Sequence, residues 1–172
     1  MNFLGKIAVV ALSICFFSAS AMAQGKIAIL NLEEAIFQTE AAKAQIEALR
    51  QTADFMKNRK EAEELRKQYE DIAAEFQKNR DVMSAEQQQE QARKVQDIQT
   101  DLEFIAKKLQ ASEREVAQKI MREMVPKANT VVAELIKVEG IGLLLNAQAA
   151  LHADAGYSID AKVTEKLNQL AQ

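Results

Sequence analysis

The stretch KIAILNLEEAIFQT, from Lys26 to Thr39, decides how the rest of this sequence is interpreted. Its first half, Ile27–Leu30 with Leu32, is an apolar run typical of a β-strand, and its second half is polar and helix-like. A single strand cannot satisfy its own backbone hydrogen bonds, so the chain must supply a partner for it. No other strand-like segment begins before Gly140.

The predicted partner strand lies in GIGLLLNAQAALHA, from Gly140 to Ala153. Ile141–Leu145 is an apolar run that follows a glycine, as the first strand does. We expect these two runs to pair, and we expect a third short strand over Ala149–His152 after a turn. Asp160 is then predicted to cap a final helix over Ala161–Ala171.

The interval between the two strand regions is predicted to be a helical hairpin. It contains no glycine and a single proline, Pro126, which would kink the returning helix near its base. Ser84 with Gln87 forms a capping box that starts this second helix, so the turn falls near residues 79–84. Apolar residues at alternating spacings of three and four form one stripe on each helix, and such stripes pack together. The outgoing stripe is Phe55, Ala62, Leu65, Tyr69, Ile72 and Phe76, interrupted by Asn58, and the returning stripe is Val95, Ile98, Leu102, Ile105, Leu109 and Val116, interrupted by Ser112.

These elements predict an α+β fold with a small β-body and a long antiparallel helical-hairpin arm. We expect the body in residues 24–39 and 127–172, and the arm in residues 40–126. Three short strands and two small helices bury little apolar surface, so we expect oligomerisation to complete the body. The residues expected in this oligomerisation body are Ile27, Ile29, Leu30, Leu32, Ile141, Leu143, Leu144 and Leu145.

Residues 1–23 are predicted to be a cleavable signal peptide. Lys6 precedes an apolar run that is too short to span a bilayer, and Ala21-Met22-Ala23 is a typical cleavage site. The only cysteine, Cys15, lies in this segment, so no disulfide is expected in the exported chain.

The charge of the chain argues against nucleic acid as a partner. The sequence has 22 basic and 25 acidic residues, and cleavage after Ala23 removes one lysine and no acid, which changes the net charge from −3 to −4. No basic stripe with interleaved aromatic residues is present to neutralise phosphates. The heavy use of Ala, Gln, Glu and Lys, with no Trp, is typical of long helices and coiled coils.

The sequence offers little for catalysis, so we predict no enzyme and no catalytic, cofactor-binding or metal-binding residue. His152 is the only histidine and is expected at the surface or the rim of the sheet, and a mature chain without cysteine lacks most nucleophile and soft-metal sites. Gly140-Ile141-Gly142 lacks the rest of a nucleotide-binding fingerprint.

Three segments of the sequence resemble a known family. They are KIAILNLEEAIFQTEAAKA near the start, MSAEQQQEQARK at the entry to the second helix, and IGLLLNAQAAL leading to YSIDAKVTEKLNQL. Through them the chain closely resembles the OmpH/Skp family of periplasmic chaperones. The resemblance implies a homotrimer in which the chains share a β-body and three arms surround a cavity. It also implies that unfolded outer-membrane β-barrel proteins are held in that cavity, in the periplasm, without ATP.

The net charge of this chain differs from that of the family it resembles. Well-studied relatives are strongly basic, and their charge is associated with the capture of acidic clients and the approach to anionic membrane surfaces. This chain, in contrast, is acidic overall. The sequence therefore argues against strong electrostatic steering and against contact with a membrane surface.

Apolar residues outside the two stripes are the candidates for contact with a client. Met56 and Phe104 fall at heptad positions that face away from the partner helix, and Val82 and Met83 lie at the turn. Methionine adapts to many sequences, and several arms around one client would multiply weak contacts. Contact between neighbouring arms and simple exposure are the alternatives for these four residues.

The function predicted from these features is an ATP-independent periplasmic holdase for unfolded outer-membrane proteins. The alternative from a different class is a periplasmic coiled-coil scaffold or adaptor that bridges fixed partners.

Overall fold

The computed structural model describes residues 25–170. The predicted signal peptide lies outside these described residues. Within this range there are two strands and five α-helices, in the order β1 (Lys26–Leu30), α1 (Leu32–Phe37), α2 (Glu40–Arg50), α3 (Ala53–Asn79), α4 (Ala85–Glu139), β2 (Ile141–Asn146) and α5 (Asp160–Gln169), with 3₁₀ turns at Arg80–Val82, Ala147–Ala149 and Ala155–Tyr157. None of the helices in this range is both long and apolar enough to cross a membrane.

The first and last parts of the chain meet in a two-stranded parallel sheet. The predicted pairing is confirmed, because Ile27 lies opposite Leu143 and Ile29 lies opposite Leu145. The register shifts between Lys26 and Ile27, where Gly142 is an extra residue in β2. A Cβ atom on Gly142 would lie only 2.7 Å from the Cα of Gly25, so this close approach of two backbones requires glycine.

Two strand predictions are wrong in detail. Leu32 begins helix α1 rather than extending β1, because the Asn31 side chain caps this helix by accepting a hydrogen bond of 3.2 Å from the Glu34 backbone N–H. Residues 149–152 do not form a third strand, and the 3₁₀ turn Ala147–Ala149 leads into an irregular loop. Ser158 instead forms an isolated parallel bridge with Ile29.

The outgoing side of the arm consists of two helices rather than one. Helix α2 ends at Arg50, and Thr52 caps α3 by accepting a hydrogen bond of 3.4 Å from the Phe55 backbone N–H. The turn at the far end contains the 3₁₀ turn Arg80–Val82, and Ser84 and Gln87 form the predicted capping box at the start of α4.

Helix α4 runs without interruption for 55 residues and contains Pro126 in its interior. It ends at Gly140, whose φ of 65° is in the left-handed region that favours glycine. The predicted role of Asp160 is wrong, because Ile159 is the N-cap residue of α5 and makes no side-chain cap bond. The Asp160 carboxylate instead accepts a hydrogen bond of 2.8 Å from the Asn31 backbone N–H, which ties α5 to the end of β1.

The hydrophobic core lies at the end of the molecule that contains the sheet. It is built where α1, α2 and α5 pack against the last part of α4 and against β1. The core reaches into residues that the sequence placed in the arm, since Ala42, Ile120 and Met124 are buried in it. The other buried members are Ala28, Leu30, Ala35, Ile36, Ala128, Val131, Leu135, Ile141, Ile159, Val163 and Leu167.

Candidate functional site

The two predicted stripes lie along the seam between α3 and α4, except for Val116, which packs against the core of the body, and every residue of both stripes is at least partly buried. Burial along this seam is uneven. Phe55, Ile98 and Ile105 are buried, whereas Tyr69 and Val95, which lie nearer the turn, are only half-buried. No residue from 56 to 97 is buried. The outer half of the arm is therefore held together by partial contacts alone.

The four candidate client-contacting residues differ in exposure. Met56 and Phe104 are each 58% exposed, and Val82 at the turn is 84% exposed. Met83 is half-buried, and its carbonyl accepts a hydrogen bond of 3.4 Å from the Gln88 side chain, so it is part of the turn structure. The three exposed residues are available for contact with another chain.

Positive charges lie next to two of these exposed residues. The Lys108 ammonium is 4.6 Å from the centre of the Phe104 ring, which is a cation–π geometry. Met56 lines a shallow surface depression together with Arg50, Arg59, Lys60 and Glu63. Met56 and Phe104 therefore each lie beside cationic side chains, of which Arg59 and Lys60 are paired with acidic residues of α3.

A cavity of about 320 Å³ opens in the seam between the helices of the outer arm. Its walls are mainly apolar, and they contain one residue with an unpaired polar atom: the buried Oε1 of Gln91 has no hydrogen-bond partner. The lining residues are Tyr69, Ala73, Phe76, Gln91, Ala92 and Val95. This cavity was not predicted from the sequence, although Gln91 continues the spacing of the returning stripe with a polar residue where an apolar one is expected.

The sheet presents a second exposed apolar surface, which we call the outer sheet face and define by Ile27, Ile29, Leu143 and Leu145. Ile27 and Leu143 are each 47% exposed and lie opposite one another, and Leu145 is 39% exposed opposite the half-buried Ile29.

The other residues predicted for oligomerisation do not belong to this face. Leu30 and Ile141 are buried in the core of the chain itself, and the half-buried Leu32 and Leu144 pack against that core.

One family of known proteins matches most of the chain. A family model described as "Outer membrane protein (OmpH-like)" matches residues 26–167, which include both strands, the whole arm and most of α5. The chain belongs to the OmpH-like family. Among solved structures, a crystal structure from Caulobacter crescentus CB15, described as a candidate outer membrane chaperone (OmpH-like), is 16% identical, with coverage of 87% of each chain and a TM-score of 0.47. A search of curated proteins found no match.

The arm of this OmpH-like chain carries basic side chains that are matched locally by acidic ones. Arg59 pairs with Glu63 at 3.3 Å and Lys60 pairs with Glu64 at 3.6 Å, both one helical turn apart. On α4, the hydrogen bond from Lys94 lowers the pKa of Glu90 below its usual range, and the same contact raises the pKa of Lys94. These pairs offset the positive charge along the arm.

In the body, the Glu139 carboxylate links three elements through ion pairs. It lies at the end of α4 and accepts hydrogen bonds from Lys162 of α5, at 2.6 and 2.8 Å, and from Lys26 of β1, at 2.5 Å. The Lys162 bond, followed by the Lys26 bond, lowers the pKa of Glu139 below its ordinary value of 4.5. This ion triad stabilises the junction between the arm and the sheet.

The single histidine lies on the surface. His152 is exposed in the loop after β2, and its Nε2 atom is 3.5 Å from a carboxylate oxygen of the exposed Asp154. Within residues 25–170, no group of three His, Cys, Asp or Glu side chains has a geometry that could hold a metal ion.

Proposed function

We propose that this protein is an ATP-independent periplasmic holdase that captures unfolded outer-membrane β-barrel proteins between its arms and prevents their aggregation. The observation that carries the proposal is the placement of exposed apolar residues on the arm. Met56, Val82 and Phe104 lie outside the seam, where they contribute little to the packing of their own chain. A protein that binds many unfolded chains needs such weak, separated apolar contacts, because one large apolar patch would itself aggregate.

We also propose that the chain acts as a homotrimer assembled through the outer sheet face. Apolar side chains on both strands of that face are exposed in the single chain, and β2 is an edge strand of the two-stranded sheet. Burying this face between copies would remove apolar surface from water, and a strand of another copy placed beside β2 would pair with the open sheet edge. Native mass spectrometry with and without an unfolded client measures subunit number and client stoichiometry together, and three chains per client-bound complex are expected.

The holdase proposal is tested by diluting a urea-denatured β-barrel membrane protein into buffer with and without this protein and following light scattering. A several-fold molar excess should suppress aggregation without ATP. Unchanged scattering would reject the holdase proposal. Binding to one fixed partner, without protection of unfolded proteins in general, would favour the alternative of a periplasmic scaffold or adaptor.

The proposed contact residues are tested by combining Met56→Ser with Phe104→Ser. Client binding should become about tenfold weaker, which corresponds to about 1.4 kcal/mol of lost apolar burial. Helicity and the melting temperature should be unchanged, because both side chains are mostly exposed.

A matched control for that variant combines Leu151→Ser with Leu170→Ser, two exposed apolar residues of the body. This control should bind client as the unchanged protein does. Equal weakening by the two pairs would show that the arm residues have no special role in client contact.

A further inference from the structure

We propose that Met56 is a site of reversible oxidation, at which a peroxide converts the thioether to a sulfoxide and thereby weakens the binding of client to the arm. This inference rests on the proposed holdase function and adds a chemical control to one of the proposed contact residues. The modification is the conversion of methionine to methionine sulfoxide, for which a peroxide such as hydrogen peroxide supplies the oxygen.

Met56 is the methionine that an oxidant in solution reaches most easily. Its side chain is 58% exposed, whereas Met124 is 4% exposed in the core of the body. Met83 and Met121 are half-buried, so Met56 is the only exposed methionine within residues 25–170. Because the oxidant must touch the sulfur atom, we expect Met56 to react before the other three.

The surroundings of Met56 also suit the oxidised side chain. Met56 shares its depression with Arg50, Arg59 and Lys60, all of which carry N–H donors. A thioether sulfur is only a weak acceptor, whereas oxidation makes this side chain polar. A guanidinium has five N–H donors, more than the ion pair of Arg59 with Glu63 occupies. A sulfoxide oxygen at Met56 therefore has hydrogen-bond donors beside it.

The oxidation step needs only the thioether and one molecule of peroxide. A lone pair of the Met56 sulfur attacks one peroxide oxygen, so that an S–O bond forms as the O–O bond breaks. The departing hydroxide takes up the proton left on the transferred oxygen and leaves as water. Sulfur loses two electrons and the peroxide gains them. Methionine sulfoxide reductases reverse the change by passing two electrons from a dithiol, which becomes a disulfide, and the oxygen leaves as water.

Oxidation of Met56 should alter the surface of the arm without unfolding it. The backbone N–H of Met56 donates a hydrogen bond of 3.0 Å to the Thr52 carbonyl in the first turn of α3, and this bond does not involve the side chain. The adjacent Phe55, rather than Met56, is the buried residue of that turn. A polar sulfoxide at this exposed position removes an apolar contact point from the arm and leaves the seam intact.

The first experiment maps oxidation along the mature protein. Hydrogen peroxide is added at increasing doses, catalase then removes it, and peptide mass spectrometry locates each added oxygen atom. Met56 should be oxidised at a lower dose than the other three methionines of residues 25–170. Oxidation of any of these three at the same dose would contradict the assigned site.

The second experiment measures the Kd for a fluorescently labelled, urea-denatured β-barrel membrane protein by fluorescence anisotropy. At the dose that oxidises Met56 alone, the Kd should rise about threefold, because one of the proposed apolar contacts is lost. Treatment with methionine sulfoxide reductases and a dithiol should restore the original Kd. An unchanged Kd with Met56 fully oxidised, or a raised Kd after its complete reduction, would overturn the proposal.

Two variants and a control assign the change in Kd to Met56. Met56→Leu has an apolar side chain of similar size that peroxide does not oxidise, so its Kd should be the same before and after treatment. Met56→Gln is polar without oxidation and should bind client about threefold more weakly than the unchanged protein. Met121→Leu is the control and should still show the threefold rise after peroxide. A rise of the same size in Met56→Leu would show that another residue is responsible.

Circular dichroism separates loss of client contact from loss of folding. Protein oxidised at Met56 alone should keep its helicity and melting temperature, and a lower melting temperature would contradict the proposal by showing that the oxidation perturbs the fold. If the unoxidised protein suppresses aggregation and oxidation of Met56 leaves the Kd unchanged, only this inference fails. If the unoxidised protein does not suppress aggregation, the holdase function is rejected and this inference with it.

Discussion

At the body end of the molecule, Ile36, Ile120 and Val163 are completely buried, whereas along the arm from residue 56 to residue 97 no side chain is buried at all. The body end also contains long-range polar links, among them the Glu139 ion triad and the bond from the Asn31 N–H to Asp160. The ion pairs of the outer arm are local and span one helical turn.

This difference in burial gives the body and the arm separate physical roles. Deep burial fixes the geometry of the body, since a buried side chain has many contacts that all favour one arrangement. Partial burial holds the two arm helices together and leaves apolar surface that can exchange contacts with another chain. Regions with few buried contacts also open more readily than the core of the same protein.

The largest effect on the free energy of unfolding is expected when an isoleucine is replaced by alanine in the body, compared with the same replacement in the arm. Ile120→Ala removes a completely buried side chain from the body and should lower the free energy of unfolding by about 2–5 kcal/mol. Ile72→Ala, at a half-buried position of the seam, should cost only about 1 kcal/mol. Urea denaturation at one fixed protein concentration measures both values, and equal losses would show that arm and body are packed alike.

A smaller effect is expected where β1 and β2 approach most closely. Gly142→Ala would place a Cβ atom 2.7 Å from the Cα of Gly25, so the strands must separate, and the cost should be about 1–3 kcal/mol. Gly156→Ala is the control, because a Cβ atom there meets nothing within 4 Å. If both variants melt at the same temperature, the close strand contact does not limit the stability of the body.

The smallest effect is expected from Glu139→Gln and should depend on pH. Because the folded-state pKa of Glu139 lies below 4.5, its stabilising contribution is present above that pH and is lost as the pH falls through the folded value. The variant should therefore melt below the unchanged protein at pH 7, and the gap should narrow towards pH 3. Glu115→Gln, an exposed change on the arm, should leave the melting temperature unchanged at both pH values.

The sequence predicted the features that depend on local chemistry and spacing. The glycines at both ends of the long helical interval marked the two strands, Ser84 with Gln87 marked the start of α4, and the two stripes identified the seam. Each of these signals acts over a few residues or repeats regularly along a helix, so it can be recognised without knowledge of distant contacts.

The errors arose where distant residues decide the outcome. Asp160 is a typical cap residue, but it bonds to Asn31, which lies far away in the sequence. The segment Ala149–His152 is apolar enough for a strand, but Ser158 occupies the position beside Ile29. The break before Thr52 was missed, although threonine is a common N-cap and the predicted outgoing stripe begins only at Phe55.

The candidate site was predicted in part for the same reason. Heptad spacing placed Met56 and Phe104 outside the seam, and both are exposed in the structure. The cavity beside Gln91 depends on how two helices are aligned, and the exposed outer sheet face depends on the register of β1 and β2. Neither alignment can be read from a single segment.

The most direct test of the division between a rigid body and a client-binding arm is amide hydrogen exchange, measured by mass spectrometry with and without an unfolded outer-membrane β-barrel protein. In the free protein, residues 56–97 should exchange faster than the segment around Ile120. Added client should slow exchange along the outer arm and around Phe104, and should leave β1 and β2 unchanged. Protection confined to the two strands, with no change in the arm, would contradict the account.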